Sequence, residues 1–205
     1  PGNAGGGYSR WKDLELTRWR EDTTRDNRGK FCYIRDIASG DVWSTAYQPT
    51  LKGADNYEVI FSQGRAEFRR RDHDIDVHTE ITVSPEDDIE LHRINILNLS
   101  HHKRTIELTT YQEVVISPVG ADETHEVFNN LFVQTEIVRE RRAIMATRRP
   151  RSKGDPVHWM FHMMTIHGNS VGDASYETDR SRFIGRSRSA HNPVAMGNSF
   201  KLSNS

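Results

Sequence analysis

Between Gly5 and Gln48 the chain sets Tyr8, Trp11, Trp19, Phe31, Tyr33, Trp43 and Tyr47 among charged residues, and three of its four tryptophans fall here. An aromatic ring beside Asp, Asn or Arg can hold a sugar. The ring face covers the apolar C–H face of a pyranose, while planar carboxylate or guanidinium groups bind pairs of hydroxyls. The same rings serve as well as core and edge residues of a β-protein. Composition leaves both readings open.

Other groupings point to less. Asp74, Asp76 and His78 share one face of an alternating stretch and are acceptable metal ligands by type. That face is the polar side of an amphipathic strand, so the expectation is a solvated surface and no metal. The ten histidines are otherwise scattered, and one cysteine gives no zinc spacing. Basic clusters at 139–142, 148–153 and 180–188 are interrupted by acids and lack a nucleic-acid motif, so solvated loops and no nucleic-acid partner are expected. Asn98-Leu99-Ser100 fits a glycosylation pattern by coincidence.

The elements that must position these residues follow a period of two. Ile75, Val77, Thr79, Ile81 and Val83 alternate with Asp76, His78, Glu80 and Thr82, the pattern of a half-buried strand. A turn at Pro85–Asp88 leads into a partner strand from Ile89 to Leu99. Its apolar phase moves from Ile89 and Leu91 to Ile94 and Ile96, which predicts a bulge near Arg93. Ile106, Leu108, Thr110, Gln112, Val114 and Ile116 share a face, completing a three-strand antiparallel meander. Residues 117–130 read as a loop with one helical turn. Strands follow at 131–137, 144–147 and 157–165, the last apolar on both faces near its middle and therefore expected to be central. Residues 168–205 read as an irregular, partly disordered tail. No helix longer than two turns is expected. The fold class is all-β, an antiparallel sandwich with few or no helices.

The 205 residues suit one large β-domain or two small ones, and the expectation is one domain spanning 1–205 with its aromatic-rich segment at 1–48. Apolar residues make up 35%, and the mean hydropathy of −0.75 suits sheets with one wet face. With 28 basic and 29 acidic residues, no general attraction to nucleic acid or anionic lipid is implied. Lone Cys32 excludes an internal disulfide and fits a reducing compartment. No apolar run reaches the roughly 20 residues that cross a bilayer, and no signal peptide is visible. A start at Pro1 and an end at Ser205 in polar sequence read as a piece of a longer chain.

GGGYSRWKDLELTRWREDTTRDNRGKFCYIRD, followed by SGDVWSTAYQP, resembles the N-terminal segment of glycoside hydrolase family 94. These are inverting phosphorylases that include cellobiose and chitobiose phosphorylases. GGGYSRWK and TRWRED are similar almost residue for residue to the phosphorylase-like regions of cyclic β-1,2-glucan synthases. The likeness continues through residues 57–100, FNNLFVQTEIV and YETDRSRFIGRSR, covering most of the chain. It implies an N-terminal β super-sandwich of the galactose-mutarotase-like kind, truncated before its last strands and before an (α/α)6 barrel.

Inverting phosphorolysis needs one carboxylic acid to protonate the leaving oxygen, and phosphate replaces the water and its base. In the family both the acid and the phosphate ligands belong to the barrel. The resemblance therefore places no catalytic residue here, no cofactor, and inorganic phosphate only as co-substrate of the full enzyme. It makes Tyr8, Trp11, Arg18, Trp19, Arg20, Asp22 and Arg25, in the best-matching segment, the candidate substrate-binding residues. The implied partners are a β-glucan oligosaccharide, the barrel of the same polypeptide and a second copy in a homodimer. The implied location is the cytoplasmic side of a bacterial inner membrane, within a larger membrane protein, or the cytoplasm. Two other readings stay open. One is a β-glucan-binding module without chemistry. The other is a mutarotase-like enzyme using a Glu and a His, although nothing in the spacing of Glu80, Glu113, His78 and His92 selects a pair.

Overall fold

The computed structural model describes residues 1–20, 24, 27–124, 126–197 and 202. In chain order its elements are β1 (Arg10–Trp11), β2 (Leu14–Thr17), β3 (Phe31–Asp36), β4 (Val42–Ser44), β5 (Asn56–Ser62), β6 (Arg65–Asp72), β7 (Ile75–Val83), β8 (Glu90–Asn98), β9 (Ile106–Tyr111) and β10 (Val114–Pro118). Helices α1 (Ala121–Thr124) and α2 (Glu126–Asn130) come next, then β11 (Val133–Val138), β12 (Ala143–Arg148), β13 (Trp159–Met163) and helix α3 (Arg180–Ile184). Every described pairing is antiparallel. Strands dominate the regular structure of the described residues, with only three short α-helices, the all-β architecture expected from the alternation.

Two compact units divide the chain. One is Pro1–Ser9 with Trp19–Gln112; the other is Arg10–Arg18 with Glu113–Ser205. In the first, a three-stranded sheet in the order β4-β3-β9 and a four-stranded sheet in the order β5-β6-β7-β8 share a core. Ile34 and Trp43 come from one sheet and Ile75 and Val77 from the other, with Ile94, Ile96, Ile106 and Leu108 packed against them. Aligned apolar faces of this kind are how two antiparallel sheets exclude water. In the second unit the sheets run β1-β2-β10 and β11-β12-β13.

Register explains which faces are buried. On β7, Ile75, Val77 and Thr79 point inward, opposite Asp72, Arg70 and Phe68 of β6. The β6–β7 connection is a two-residue turn in which His73 and Asp74 both take positive φ, 51° and 61°. That is the hairpin geometry whose twist matches the strands, and Asp tolerates it. Arg70 and Asp72 are buried on the inner face and pair through two bonds of 2.6 and 2.9 Å. The same guanidinium donates to the Ala46 and Lys52 carbonyls, each at 2.9 Å.

Several expectations need correcting. No bulge interrupts β8, whose pairing with β7 is continuous from Val83↔Glu90 to Ile75↔Asn98. The apparent change of phase arises because the inner-face positions 90 and 92 are polar, while Leu91 is exposed on the outer face. The meander also ends at β8. β9 pairs with β3 across the core, and the shared face from 106 to 116 is divided between β9 and β10, which pairs with β2. Nor is the apolar strand of 157–165 central: β13 is the end strand of its sheet, with Trp159, Phe161 and Met163 more than half exposed. Residues 168–205 include α3, where the Asp179 carboxylate caps the Ser181 and Arg182 N–H groups, and Phe183 and Ile184 are buried.

Asp36 closes β3 with its carboxylate buried. It accepts from the Ala38 N–H at 2.9 Å and from Arg104 Nε at 2.7 Å. Burial alone would raise its pKa, but the Ala38 and Arg104 bonds outweigh it and hold the carboxyl below its ordinary value. Two outcomes follow for urea unfolding. Ile75→Ala, at the fully buried centre, costs about 2–5 kcal/mol, whereas Leu97→Ala on the exposed face stays within about 0.5 kcal/mol. Because the folded pKa of Asp36 is depressed, its stabilisation is present above the unfolded value of about 3.9 and is lost as pH falls through the folded value. Asp36→Asn should be less stable at neutral pH and lose less stability on acidification.

Candidate glycan-binding segment

The glycine-rich start of the chain lies against residues 46–48. Ala4 accepts from the Gln48 N–H at 2.7 Å. Gly5 takes φ +97°, and a Cβ there would meet the Ala46 Cβ at 2.4 Å. Only glycine allows this approach. It fixes the path of the chain just before Tyr8.

Tyr8 is 45% exposed, and its ring lies 5.2 Å from that of Trp19 at a 35° tilt. The two rings are in tilted contact, within the separation at which aromatic pairs attract. Trp19 is half-buried, and its indole N–H finds no acceptor among the described residues. Arg20, also half-buried, follows it directly. Below Tyr8 the chain is tied to β8. Ser9 Oγ donates to Glu90 Oε2 at 2.8 Å, and Lys30 Nζ donates to Ser9 Oγ at 2.6 Å and to Glu90 Oε1. His92 Nε2 lies 2.5 Å from Glu90 Oε1. Burial pushes the Lys30 amine down to about 8. Burial, together with the Lys30 charge, pushes His92 down to about 4. Glu90 and His92 are two inner-face positions of β8 without apolar side chains.

The other candidates are placed differently. Trp11, on β1, has the Lys12 ammonium 4.2 Å above its ring centre, and its ring lies 5.3 Å from that of His158. Arg18 is 4% exposed. It pairs with Asp122 through Nε–Oδ2 at 2.7 Å and Nη2–Oδ1 at 2.9 Å, and reaches Glu113 Oε2 and Asn130 Oδ1, both at 2.8 Å. Burial would lower its pKa, but Asp122 and Glu113 raise it further. Arg18 therefore anchors β2 to α1, α2 and the start of β10. Asp22 and Arg25 lie outside the described residues. The structure thus brings together Tyr8 and Trp19, with Arg20 next in the chain, and gives Trp11 and Arg18 partners of their own.

Sequence reasoning missed the anchors. Glu113 and Asp122 are about a hundred positions from Arg18, and Glu90 is 81 from Ser9, so no local pattern marks them. It also placed Asp74 on a strand face with Asp76 and His78, but Asp74 is a turn residue. The Cys32 thiol is buried and pushed up to about 12, which leaves it protonated and unreactive.

The glycosyl hydrolase 94 supersandwich domain matches residues 2–205. The chain belongs to that family. Among its relatives, the cyclic beta-(1,2)-glucan synthase NdvB of Rhizobium meliloti (strain 1021) is 36% identical over 184 residues, which is 90% of this chain and 6% of the synthase. An N,N'-diacetylchitobiose phosphorylase of Vibrio furnissii is 27% identical over 198 residues, 94% of this chain and 24% of the enzyme. A solabiose phosphorylase of Paenibacillus borealis is 24% identical over 156 residues, 76% of this chain and 19% of the enzyme. The chain therefore spans under a quarter of the length of these glycosyl hydrolase 94 relatives.

Within this glycosyl hydrolase 94 domain, Arg18 gives a direct test. Arg18→Met leaves the Asp122 carboxylate buried without its cation and should cost about 3–5 kcal/mol in urea unfolding. Adding Asp122→Leu should restore part of that loss.

Proposed function

We propose that this chain is the non-catalytic supersandwich of a β-glucan-processing enzyme, a cyclic β-1,2-glucan synthase or an inverting phosphorylase, and that Tyr8, Trp19 and Arg20 contribute its glucan contact. The likeness to the glucan synthase carries this reading. The half-exposed Tyr8 ring beside Trp19 supports it locally, because such a pair offers an apolar face to a pyranose while Arg20 can bind hydroxyls. In this reading the acid that protonates the leaving glycosidic oxygen and the ligands of the attacking phosphate sit on a separate (α/α)6 barrel. The sandwich supplies substrate positioning and surface for that barrel and for a second copy of the enzyme. Asp22 and Arg25, outside the described residues, are hydroxyl-binding candidates by residue type alone. No helix among the described residues is long and apolar enough to cross a membrane. The proposed location is the cytoplasmic side of a bacterial inner membrane, within a larger protein, or the cytoplasm.

Isothermal titration with β-1,2-glucooligosaccharides, with cellobiose as control, tests the contact. The expected result is saturable heat selective for the β-1,2 linkage, weakened about tenfold by Tyr8→Ala or Trp19→Ala and unchanged by Trp159→Ala. Absence of heat from a folded sample would make the rings structural.

A further inference from the structure

The outer face of the sheet β5-β6-β7-β8 carries a cluster that the glucan reading leaves unused. Glu67 on β6 stands directly opposite Glu80 on β7. His78 is two residues before Glu80, so both side chains leave the same face of β7. Two carboxylates directly opposite in a sheet repel and call for a cation between them. These are not freely solvated acids: the side chains of Glu67, Glu80 and His78 are 6%, 19% and 33% exposed. His78 Nε2 lies 2.8 Å from Glu67 Oε2, and one ligand atom from each of the three residues falls within 4.8 Å of the others.

That spacing is near what a small divalent ion needs. An ion bound at about 2.0–2.2 Å to nitrogen and oxygen in a tetrahedron holds its ligand atoms roughly 3.3–3.6 Å apart. The widest of these separations needs to close by only about 1 Å. One imidazole with two carboxylates is a donor set of borderline hardness, suited to zinc.

The positive charge now balancing the acids comes from exposed arginines. Arg65 Nη2 lies 2.7 Å from Glu67 Oε1 and its Nη1 3.2 Å from Glu80 Oε1, yet the Arg65 side chain is 49% exposed. Arg69 reaches Glu67 Oε2 at 3.3 Å with 50% exposure, and Arg93 is 3.9 Å from Glu80 Oε2 with 76%. Ion pairs whose arginine end is half or more in water hold weakly. A doubly charged ion with direct coordination displaces them.

We propose that Glu67, His78 and Glu80 form a zinc-class divalent-cation site, in which the ion takes the place of the Arg65 guanidinium and clips β6 to β7. The site is independent of the glucan contact. Its signature is competition: the arginine that completes the ion-free cluster is the inhibitor of metal binding.

Cobalt(II) titration of the 205-residue chain at neutral pH, read by visible absorption and reversed with zinc, tests this. The expected result is one saturable equivalent with a four-coordinate spectrum. His78→Ala and Glu67→Gln should weaken it at least about tenfold. Arg65→Ala should tighten it about two- to fivefold, which a purely structural role for the arginine does not predict. Circular dichroism checks that each variant is folded. No saturable spectrum from the folded wild type, a signal unchanged by His78→Ala, or weaker binding in Arg65→Ala would each overturn the site.

Discussion

Buried guanidinium–carboxylate pairs are the constraint on which the rest of this fold depends. With 35% apolar residues the chain has limited means of filling two units by hydrocarbon alone. It places Arg70 against Asp72 and Arg104 against Asp36 in the first unit, and Arg18 against Asp122 in the second. Each pair has its carboxylate buried, so it holds only while both partners are present and their remaining donors are satisfied. The structure meets that condition with backbone. Arg70 also serves the Ala46 and Lys52 carbonyls, Arg104 the His73 carbonyl at 3.4 Å, and Arg18 the Glu126 carbonyl at 3.4 Å. One arginine thereby fixes loops that the strand ladders leave untied.

This separates two kinds of residue within one short motif. The sequence TRW at 17–19 looks uniform as a binding stretch, but Arg18 is an internal anchor and Trp19 a half-buried ring in tilted contact with Tyr8. The glycines before Tyr8 and the Ser9–Glu90–Lys30 contacts after it hold one end of that pair against the first unit. Such preorganisation is what a weak, hydroxyl-rich ligand requires, because ordering a loose loop on binding would consume most of the available affinity.

Much of the architecture was legible in the residues. The alternation from Ile75 to Val83 gave that strand and its buried face, and the strands expected at 131–137 and 144–147 lie within two residues of β11 and β12. What failed did so for identifiable reasons. The inner face of β8 begins with Glu90 and His92, so polar core positions looked like a slipped phase. The partner of β9 is β3, about seventy positions away, and a long-range pairing leaves no local trace. β13 is apolar on both faces yet lies at the end of its sheet, where burial depends on neighbours rather than on its own pattern. The aromatic segment stood out by composition, and its likeness to the glycosyl hydrolase 94 supersandwich was plain in its motifs. The separation of the Trp19 ring from the buried Arg18 anchor is set by long-range partners that leave no local trace.

The central claim is that Trp19, and not the tryptophan of the core, meets the glucan. Each of the four tryptophans has one indole N–H, and Trp43, at 1% exposure, serves as an internal control. A two-dimensional ¹H–¹⁵N spectrum recorded while a β-1,2-glucooligosaccharide is added resolves them. The account predicts a saturable shift of the Trp19 indole signal with Trp43 unmoved. A Trp19 signal that stays fixed through the titration would contradict it.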